Sequence, residues 1–590
     1  MSRGLKRGLI SVPTSTFVIT TIFLTIFAFK IEGRNFFKTP NDTLKVWIYL
    51  KEGIQEKYLK PIEYPERTLK RLNKVGWMKR EYPSDYYPSE EIIAIIKNHV
   101  LEIRHYSRIL KAFSALISKK NYLELEKIEF VEKIEQVRTF VKKRHIDTFD
   151  LSKNDLEKAG NEQNFYGESY KQLELINIPA VQNLGLTGKG VRITLIDAGF
   201  RKDHSAFKKI LDENRLVAEH DFLFGDNNVQ NENEEDIIYH QSSHGTSVWS
   251  LIGGFVPDTI IGAAYGAEFL LAKTERIRSE TRVEEDDYIA AIEWSDSLGT
   301  DIISTSLAYR DFNDGFCYDF SVLDGESAVT TKAVNWAFER GILFVTAAGN
   351  DGSNPKFPDG GLYTPADAYG ALTIGAVNED GIIASFSSHG PTFDGRIKPD
   401  LCAMGVSDYV ARDFSIDGYG HGSGTSFSTP LIAGAAALIL ERYPNWSPSD
   451  VINELKNFSS KSNEPDSLYG WGIPDVQRVI LENEKKNYPN ISIKRDKIAI
   501  YPNPSNEIVT FFFKWSVKPK ILHEPVELKI FDLSGRFIWK NFIPAGLGGA
   551  KELIDWDLTD NTGRRVASGV YLIYLKTKSD KKIGKMVVIN

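Results

Sequence analysis

Between residues 165 and 480, short uninterrupted apolar runs alternate with amphipathic stretches. VRITLI, FLLAKT, DIISTSL, GILFVTAAG and ALTIGAV read as strands buried on both faces, while DDYIAAIEWSDSLG and ESAVTTKAVNWAFERG carry helical spacing. Strand and helix in alternation predict an α/β fold: a parallel sheet with helices on both faces, whose sites lie beyond the C-terminal ends of the strands. The stretch GSGTSFSTPLIAGAAALIL, residues 422–440, places hydroxyls and glycines directly ahead of an unbroken apolar run. Its apolar part is too short to cross a bilayer, so it predicts a helix surrounded by core and entered from a polar loop.

The pattern changes on either side of this region. Residues 43–140 open on an alternating strand, KVWIYLKEG, and continue through charged helical text, SEEIIAIIKNHVLEIRHYSRIL and KKNYLELEKIEFVEKIEQV, which together predict a small α+β unit. A polar stretch over 141–164 has no apolar periodicity and reads as a solvated, cleavable linker. A second polar linker is expected over 482–494, leaving 165–481 as the α/β domain. From 495 to 590 the text is β-rich, with EIVTFFFKW, VELKIFDL, SGVYLIYLKT and KIGKMVVIN separated by turn residues, and it predicts a small β-sandwich.

Composition narrows the function classes. With 42% hydrophobic and 26% charged residues, a formal charge of -7 and no Lys/Arg block, the chain offers nothing that would track a phosphate backbone, so nucleic acid is not expected as a partner. Two cysteines, Cys317 and Cys402, allow one disulfide at most and form no metal-binding C-x-x-C spacing. At the N-terminus, Arg3, Lys6 and Arg7 precede FVITTIFLTIFAF. That run has the length of a signal h-region and falls short of the roughly 20 residues a spanning helix needs. Residues 1–30 are therefore expected to be an export signal, or an uncleaved anchor, since AFKIEG lacks a small-x-small cleavage pattern.

Chemistry-bearing residues collect in the α/β region. Asp197 stands at the end of VRITLI, followed by Ala198-Gly199; His244 opens HGT ahead of a helical SVWSLIGG; Ser426 sits in Gly424-Thr425-Ser426 just before the apolar helix. Singly these are ordinary: strands end in Asp, buried histidines are structural, and serine caps helices. Jointly they are the three groups that nucleophilic acyl transfer needs. A serine hydroxyl requires a base to take its proton, and the base requires a carboxylate to fix its tautomer.

The chain order Asp, His, Ser, with DAG at Asp197, HGT at His244, AAGN ending at Asn350 and GTSFSTP around Ser426, resembles the subtilisin-like serine proteases, the subtilases, over about residues 165–480. The resemblance implies that Asp197 orients the imidazole, His244 is general base and then acid, Ser426 attacks the scissile carbonyl, and Asn350 holds the oxyanion together with the Ser426 N–H. It also implies that Ser306, Leu307 and Ala308, after DIISTSL, pair with the substrate backbone, with Gly349 beside them. Many subtilases carry a hydroxyl residue after the aspartate. Here it is Ala198, and backbone donors are expected to hold the carboxylate instead. The acidic run Glu284, Glu285, Asp286, Asp287 reads as the negative start of a helix, with selection of basic substrate residues as the alternative. His389 reads as a surface histidine.

The flanks follow from the same resemblance. Residues 43–140 resemble a subtilase propeptide, which would assist folding and occupy the cleft until cut. YPNPSNE at Tyr501, FDLSGR, NTGRRVASGVYLIYLK and the closing KMVVIN resemble a type A C-terminal sorting domain of the type IX secretion system. The implied protein is a secreted or surface-held zymogen-type serine endopeptidase of a Gram-negative bacterium. Its partners would be a protein or peptide substrate, its own propeptide and the outer-membrane secretion machinery. Catalysis by these groups requires no cofactor, and structural calcium, frequent in the family, has no dense acidic loop to mark it. The competing class is a non-catalytic surface or adhesive protein on the same fold.

Overall fold

The computed structural model describes residues 43–52, 59–77, 85–137, 165–277, 281–313, 315–487, 498–501, 503–505, 509–513, 526–543, 553–576 and 581–589. The leader expected over 1–30 and the linker expected over 141–164 lie outside the described residues. The chain divides into two units, one of residues up to 62 with 83–139, the other of 63–82 with 140–590. Among the described residues, no helix is long and apolar enough to cross a membrane.

The first unit is an antiparallel sheet of four strands, β1 (Thr43–Leu50), β2 (Glu102–Ser107), β3 (Ala112–Ser118) and β4 (Val131–Val137), in the order β2-β3-β1-β4. Helices Glu90–Asn98 and Lys119–Leu125 contribute Ile92, Ile96, Tyr122 and Leu125 to one core with Val46, Ile48 and Phe113. The helical reading of SEEIIAIIKNHVLEIRHYSRIL therefore stops at Asn98. EIRHYS is a strand because its backbone pairs antiparallel with β3 across the turn at residues 108–111, and that ladder outweighs local charge patterning.

The second unit is built on a seven-stranded sheet: β5 (Arg192–Asp197), β6 (Leu216–Asp221), β7 (Glu268–Lys273), β8 (Ile302–Thr305), β9 (Leu343–Ala347), β10 (Ala371–Val377) and β11 (Leu401–Met404). The order is β11-β10-β9-β8-β5-β7-β6, and every neighbouring pair is parallel. From β5 the chain crosses to the edge strand β6 and comes back to insert β7 beside β5, then passes to the other side to place β8. The switch point of the sheet thus lies between β5 and β8, where ligands of such folds bind. A hairpin of β12 (Asp408–Arg412) and β13 (Gly418–Gly422) follows β11.

The helices that matter here are α1 (Glu66–Lys74), α2 (Ser243–Gly253), α3 (Arg282–Ser297), α4 (Val329–Glu339) and α5 (Thr425–Arg442). Helix α5 packs across β8 to β11 and against α2. Every residue from Thr425 to Leu440 is buried, as the unbroken apolar run predicted. One boundary differs from expectation: helix Val476–Asn487 runs into the linker read from 482. Glu484 is buried there and accepts from Arg442 Nε at 2.7 Å and the Tyr443 hydroxyl at 2.9 Å, so polar text met partners rather than solvent.

Beyond residue 497 come a three-stranded sheet, Ile498–Tyr501, Val509–Phe513 and Leu553–Trp556, and a four-stranded one, Val526–Asp532, Phe537–Ile543, Gly569–Lys576 and Lys581–Val588. Val509, Phe511 and Trp556 of the first share a core with Leu528, Ile530, Ile573 and Met586 of the second, which makes a β-sandwich.

Candidate active site

Five chain segments meet past the C-terminal ends of β5, β8 and β9. Asp197 is the last residue of β5 and fully buried. His244 is the second residue of α2, and its Nδ1 lies 2.9 Å from both Asp197 Oδ1 and Oδ2. Ala198 N–H donates to Asp197 Oδ1 at 2.7 Å, so a backbone donor does stand where many relatives use a hydroxyl. The loop and helix approach so closely that a Cβ on Gly245 would lie 2.1 Å from Gly199 O. That contact explains why the residue after the histidine has no side chain.

Ser426 is the second residue of α5 and 8% exposed. Its N–H belongs to the first turn of the helix, where donors have no intrahelical acceptor and the helix dipole favours negative charge. Gly424 precedes the helix at φ +149°, a conformation open in practice to glycine alone. Asn350 follows β9. Its Oδ1 accepts from Thr425 N–H at 2.9 Å and from the Thr425 hydroxyl at 3.0 Å, which leaves Nδ2 as the outward donor. A Cβ on Gly424 would come within 3.5 Å of that nitrogen. Thr425 is thus a supporting residue that sequence reading passed over, although it stands in the GTS text.

Pro430 lies inside α5, beyond its first turn. Its missing N–H leaves the carbonyl of Ser426, four residues back, without an intrahelical donor. The Ser306 hydroxyl donates to that carbonyl at 2.9 Å instead. Ser306, Leu307 and Ala308 are half-buried at the end of β8, a strand terminus lying beside the serine. Gly349, buried at φ +113°, connects β9 to Asn350.

Other candidates fall away from this cluster. The four acids of α3 are all buried. Glu284 closes a capping box with Thr281, while Glu285 accepts from the Tyr318 hydroxyl at 2.8 Å and pairs with Arg282, with burial raising its pKa. His389 is half-buried, with Nδ1 3.0 Å from Gly390 O. Cys317 and Cys402 are both free thiols. Asp221, Asp226 and Glu232 present carboxylate oxygens within 4.8 Å of one another. Asp221, however, already pairs at 2.8 Å with the buried ammonium of Lys273, which fills the role a cation would have.

Asp408 opens the hairpin that leads to Ser426. It is fully buried, neither carboxylate oxygen has a hydrogen-bond partner among the described residues, and burial raises its pKa well above the usual range. A carboxyl held neutral in the fold but ionised in the unfolded chain lowers stability as pH rises above its unfolded pKa, until the folded pKa is reached. Asp408→Val, which places an apolar group beside Val410 on the same strand face, should raise the unfolding midpoint at about pH 8 and change it little near about pH 4. Equal effects at both pH values, measured by calorimetry, would contradict this assignment of a neutral acid.

Comparison with known proteins agrees with the geometry. The sequence model of the subtilase family matches residues 188–472, and that of the secretion system C-terminal sorting domain matches residues 499–590. Subtilisin DY of Bacillus licheniformis is 30% identical over 309 residues, covering 52% of this chain and 96% of the relative. Subtilisin BL of Lederbergia lenta is 28% identical over 303 residues, 51% of this chain and 95% of the relative. Serine protease AprX of Bacillus subtilis (strain 168) is 28% identical over 325 residues, 50% of this chain and 67% of the relative. Among solved structures, the MycP3 protease from the type VII (ESX-3) secretion system aligns over 53% of this chain and 88% of that one, at 20% identity and a TM-score of 0.43. The chain belongs to the subtilase family, and it is a secreted serine protease that carries a C-terminal sorting domain.

Proposed function

We propose that the protein is an endopeptidase that cleaves through an acyl-enzyme on Ser426. His244 takes the serine proton and returns it to the leaving amine, Asp197 holds the imidazole tautomer, and Asn350 Nδ2 with Ser426 N–H stabilises the oxyanion. The observation that carries this reading is the pairing of His244 Nδ1 with the buried carboxylate of Asp197 at 2.9 Å, which fixes the proton on Nδ1 and leaves the lone pair of the ring, the base, on Nε2. The test is a fluorophosphonate probe. Wild-type protein should be labelled at Ser426 and Ser426→Ala should not; absence of label on folded, processed wild type overturns the reading.

Asn350→Ala should lower kcat by about a hundred- to a thousand-fold, the size this donor has in subtilisin itself, with KM nearly unchanged. The physical ground is that Thr425 fixes the amide before the oxyanion forms, so the donor needs no reorganisation. A loss below about three-fold in steady-state hydrolysis of a short peptide would remove Asn350 from the oxyanion site. Ser306 to Ala308 and Gly349 form the edge along which the substrate backbone pairs. No cofactor takes part in this chemistry, and calcium, if bound, serves stability.

The flanking regions complete the proposal. Residues 43–140 act as a propeptide, the chain is cut within 141–164 by its own Ser426, and residues 1–30 direct export. The sandwich at 495–590 is the address for passage across the outer membrane of a Gram-negative cell, through the type IX machinery. Support comes from the sorting-domain match and from the separate core of the sandwich. Ending the chain after Asn487 keeps the helix whose Glu484 anchors to α5, so kcat/KM should stay within a few-fold of the full protein. In a host with the type IX machinery the same truncation should leave the enzyme in the periplasm. Normal export of the truncated chain, followed by cell fractionation, would sink the sorting role.

A further inference from the structure

Residues 63–77 are flanked on both sides in the chain by the N-terminal unit, yet they pack as part of the protease unit. Helix α1 presents Thr68, Arg71 and Leu72, spaced i, i+3, i+4, as its buried face, and Trp77 beyond it is 3% exposed. That face lies on the C-terminal ends of α3 and α4, where helix carbonyls lack intrahelical donors and the dipole favours cations. Arg71 donates to Asp296 Oδ1 at 2.6 Å, to Asp296 O at 3.2 Å and to Arg340 O. Arg340 Nε reaches the same Asp296 oxygen at 3.0 Å, and its guanidinium stands 4.8 Å from the rings of Trp77 and Trp336. Arg67 donates to Gly299 O at 2.9 Å and Gly190 O at 2.8 Å and pairs with Asp301. Gly299 and Gly341, just past the two helix ends, leave room for the stems of Arg67 and Arg71.

We infer that residues 63–77 are a resident part of the mature protease: after the linker is cut, this segment stays seated on the ends of α3 and α4 as a separate chain. The surface fits one kind of partner, an amphipathic helix with two arginines one turn apart, and the chain supplies it. Arg71 and Asp296 are both buried, and separating them breaks a buried network: Asp296 is left with Arg340 alone, and the Arg340 carbonyl loses the donor it has in Arg71. Loss of the linker removes the covalent tie without weakening this contact. The inference rests on the maturation reading above.

Self-processed wild type, passed through gel filtration in native buffer and then separated under denaturing conditions, should yield by mass spectrometry a fragment containing residues 63–77 at about one per enzyme. Arg71→Ala should process and then lose the fragment on filtration, with Arg71→Lys intermediate. If Arg71→Ala does not fold, Arg67→Ala, at a half-exposed position, should show the lower retention instead. Retention equal to wild type in whichever variants fold overturns the arginine seat. Probe-reactive enzyme that is cut and carries no residue before 141 overturns the inference and leaves the maturation reading intact. A wild-type chain fully active without any cut overturns both.

Discussion

Replacing Ser426 by alanine should reduce kcat on a short peptide by about a million-fold, the magnitude known for subtilisin rather than one derived from this chain. Several features of the site make the loss of one oxygen atom so large. The hydroxyl is the atom that forms the acyl bond, and the neighbouring hydroxyls are engaged elsewhere: Ser306 donates to the Ser426 carbonyl at 2.9 Å and Thr425 to Asn350 Oδ1 at 3.0 Å. The fold should not notice, because among the described residues the hydrogen bond of Ser426 Oγ is a long 3.4 Å contact with Ser306 O. Unfolding midpoints of the two proteins should therefore agree within about a degree, as for substitutions that break no buried network. Residual hydrolysis should come from the oxyanion donors and binding alone, and should remain about a thousand-fold or more above water. The variant should also stay uncut in a host with little protease activity. A loss of less than about a hundred-fold, or normal removal of the N-terminal region by the variant itself, would mean that another group attacks the substrate.

The central sheet was legible because burial on both faces writes itself as unbroken apolar runs. β5, β7, β8, β9 and β10 all come from such text. β6 and β11 left weaker marks. RLVAEHD lies at the half-exposed edge of the sheet and mixes charge with apolar residues, while LCAM is only four residues long. In the N-terminal unit the text EIRHYS carries as much charge as the helix before it, and backbone pairing with β3 in a hairpin, which its own side-chain pattern does not show, makes it a strand. The same limit hid the placement of residues 63–77. Nothing in ERTLKRLNK distinguishes a helix that covers its own unit from one that seats on α3 and α4.

Within the site, residues with a required chemistry and a fixed chain order were readable: Asp197, His244, Asn350 and Ser426. The supporting contacts were not, because they depend on which backbone atoms are left without partners. The role of the Ser306 hydroxyl follows from the Ser426 carbonyl that Pro430 abandons, and that of Thr425 from the need to fix one end of the Asn350 amide. Ala198 shows the converse. Its side chain offers no donor, and the backbone N–H that meets Asp197 is present in every non-proline residue, so composition could not reveal it.

Asp197→Asn should cost about 10⁴-fold in kcat while leaving KM and the unfolding midpoint nearly unchanged. The carboxylate is an acceptor at both oxygens, and His244 Nδ1 stands 2.9 Å from each, so the ring must carry its proton on Nδ1 and expose the Nε2 lone pair. An amide of the same shape can keep its oxygen on Ala198 N–H, the 2.7 Å bond that holds the group in place. Its NH₂ then faces Nδ1, which becomes the acceptor, and the proton moves to Nε2. A ring protonated there cannot take a proton from Ser426. Because size, burial and the Ala198 bond are conserved, the chain should fold as before. Asp197→Ala, which removes the group and leaves a cavity, should lose stability as well as rate. The two variants together separate orientation of the base from packing. If Asp197→Asn retained more than about a tenth of wild-type kcat, the buried carboxylate would be a structural partner of the ring, and the tautomer that makes His244 a base would have to be fixed by another group.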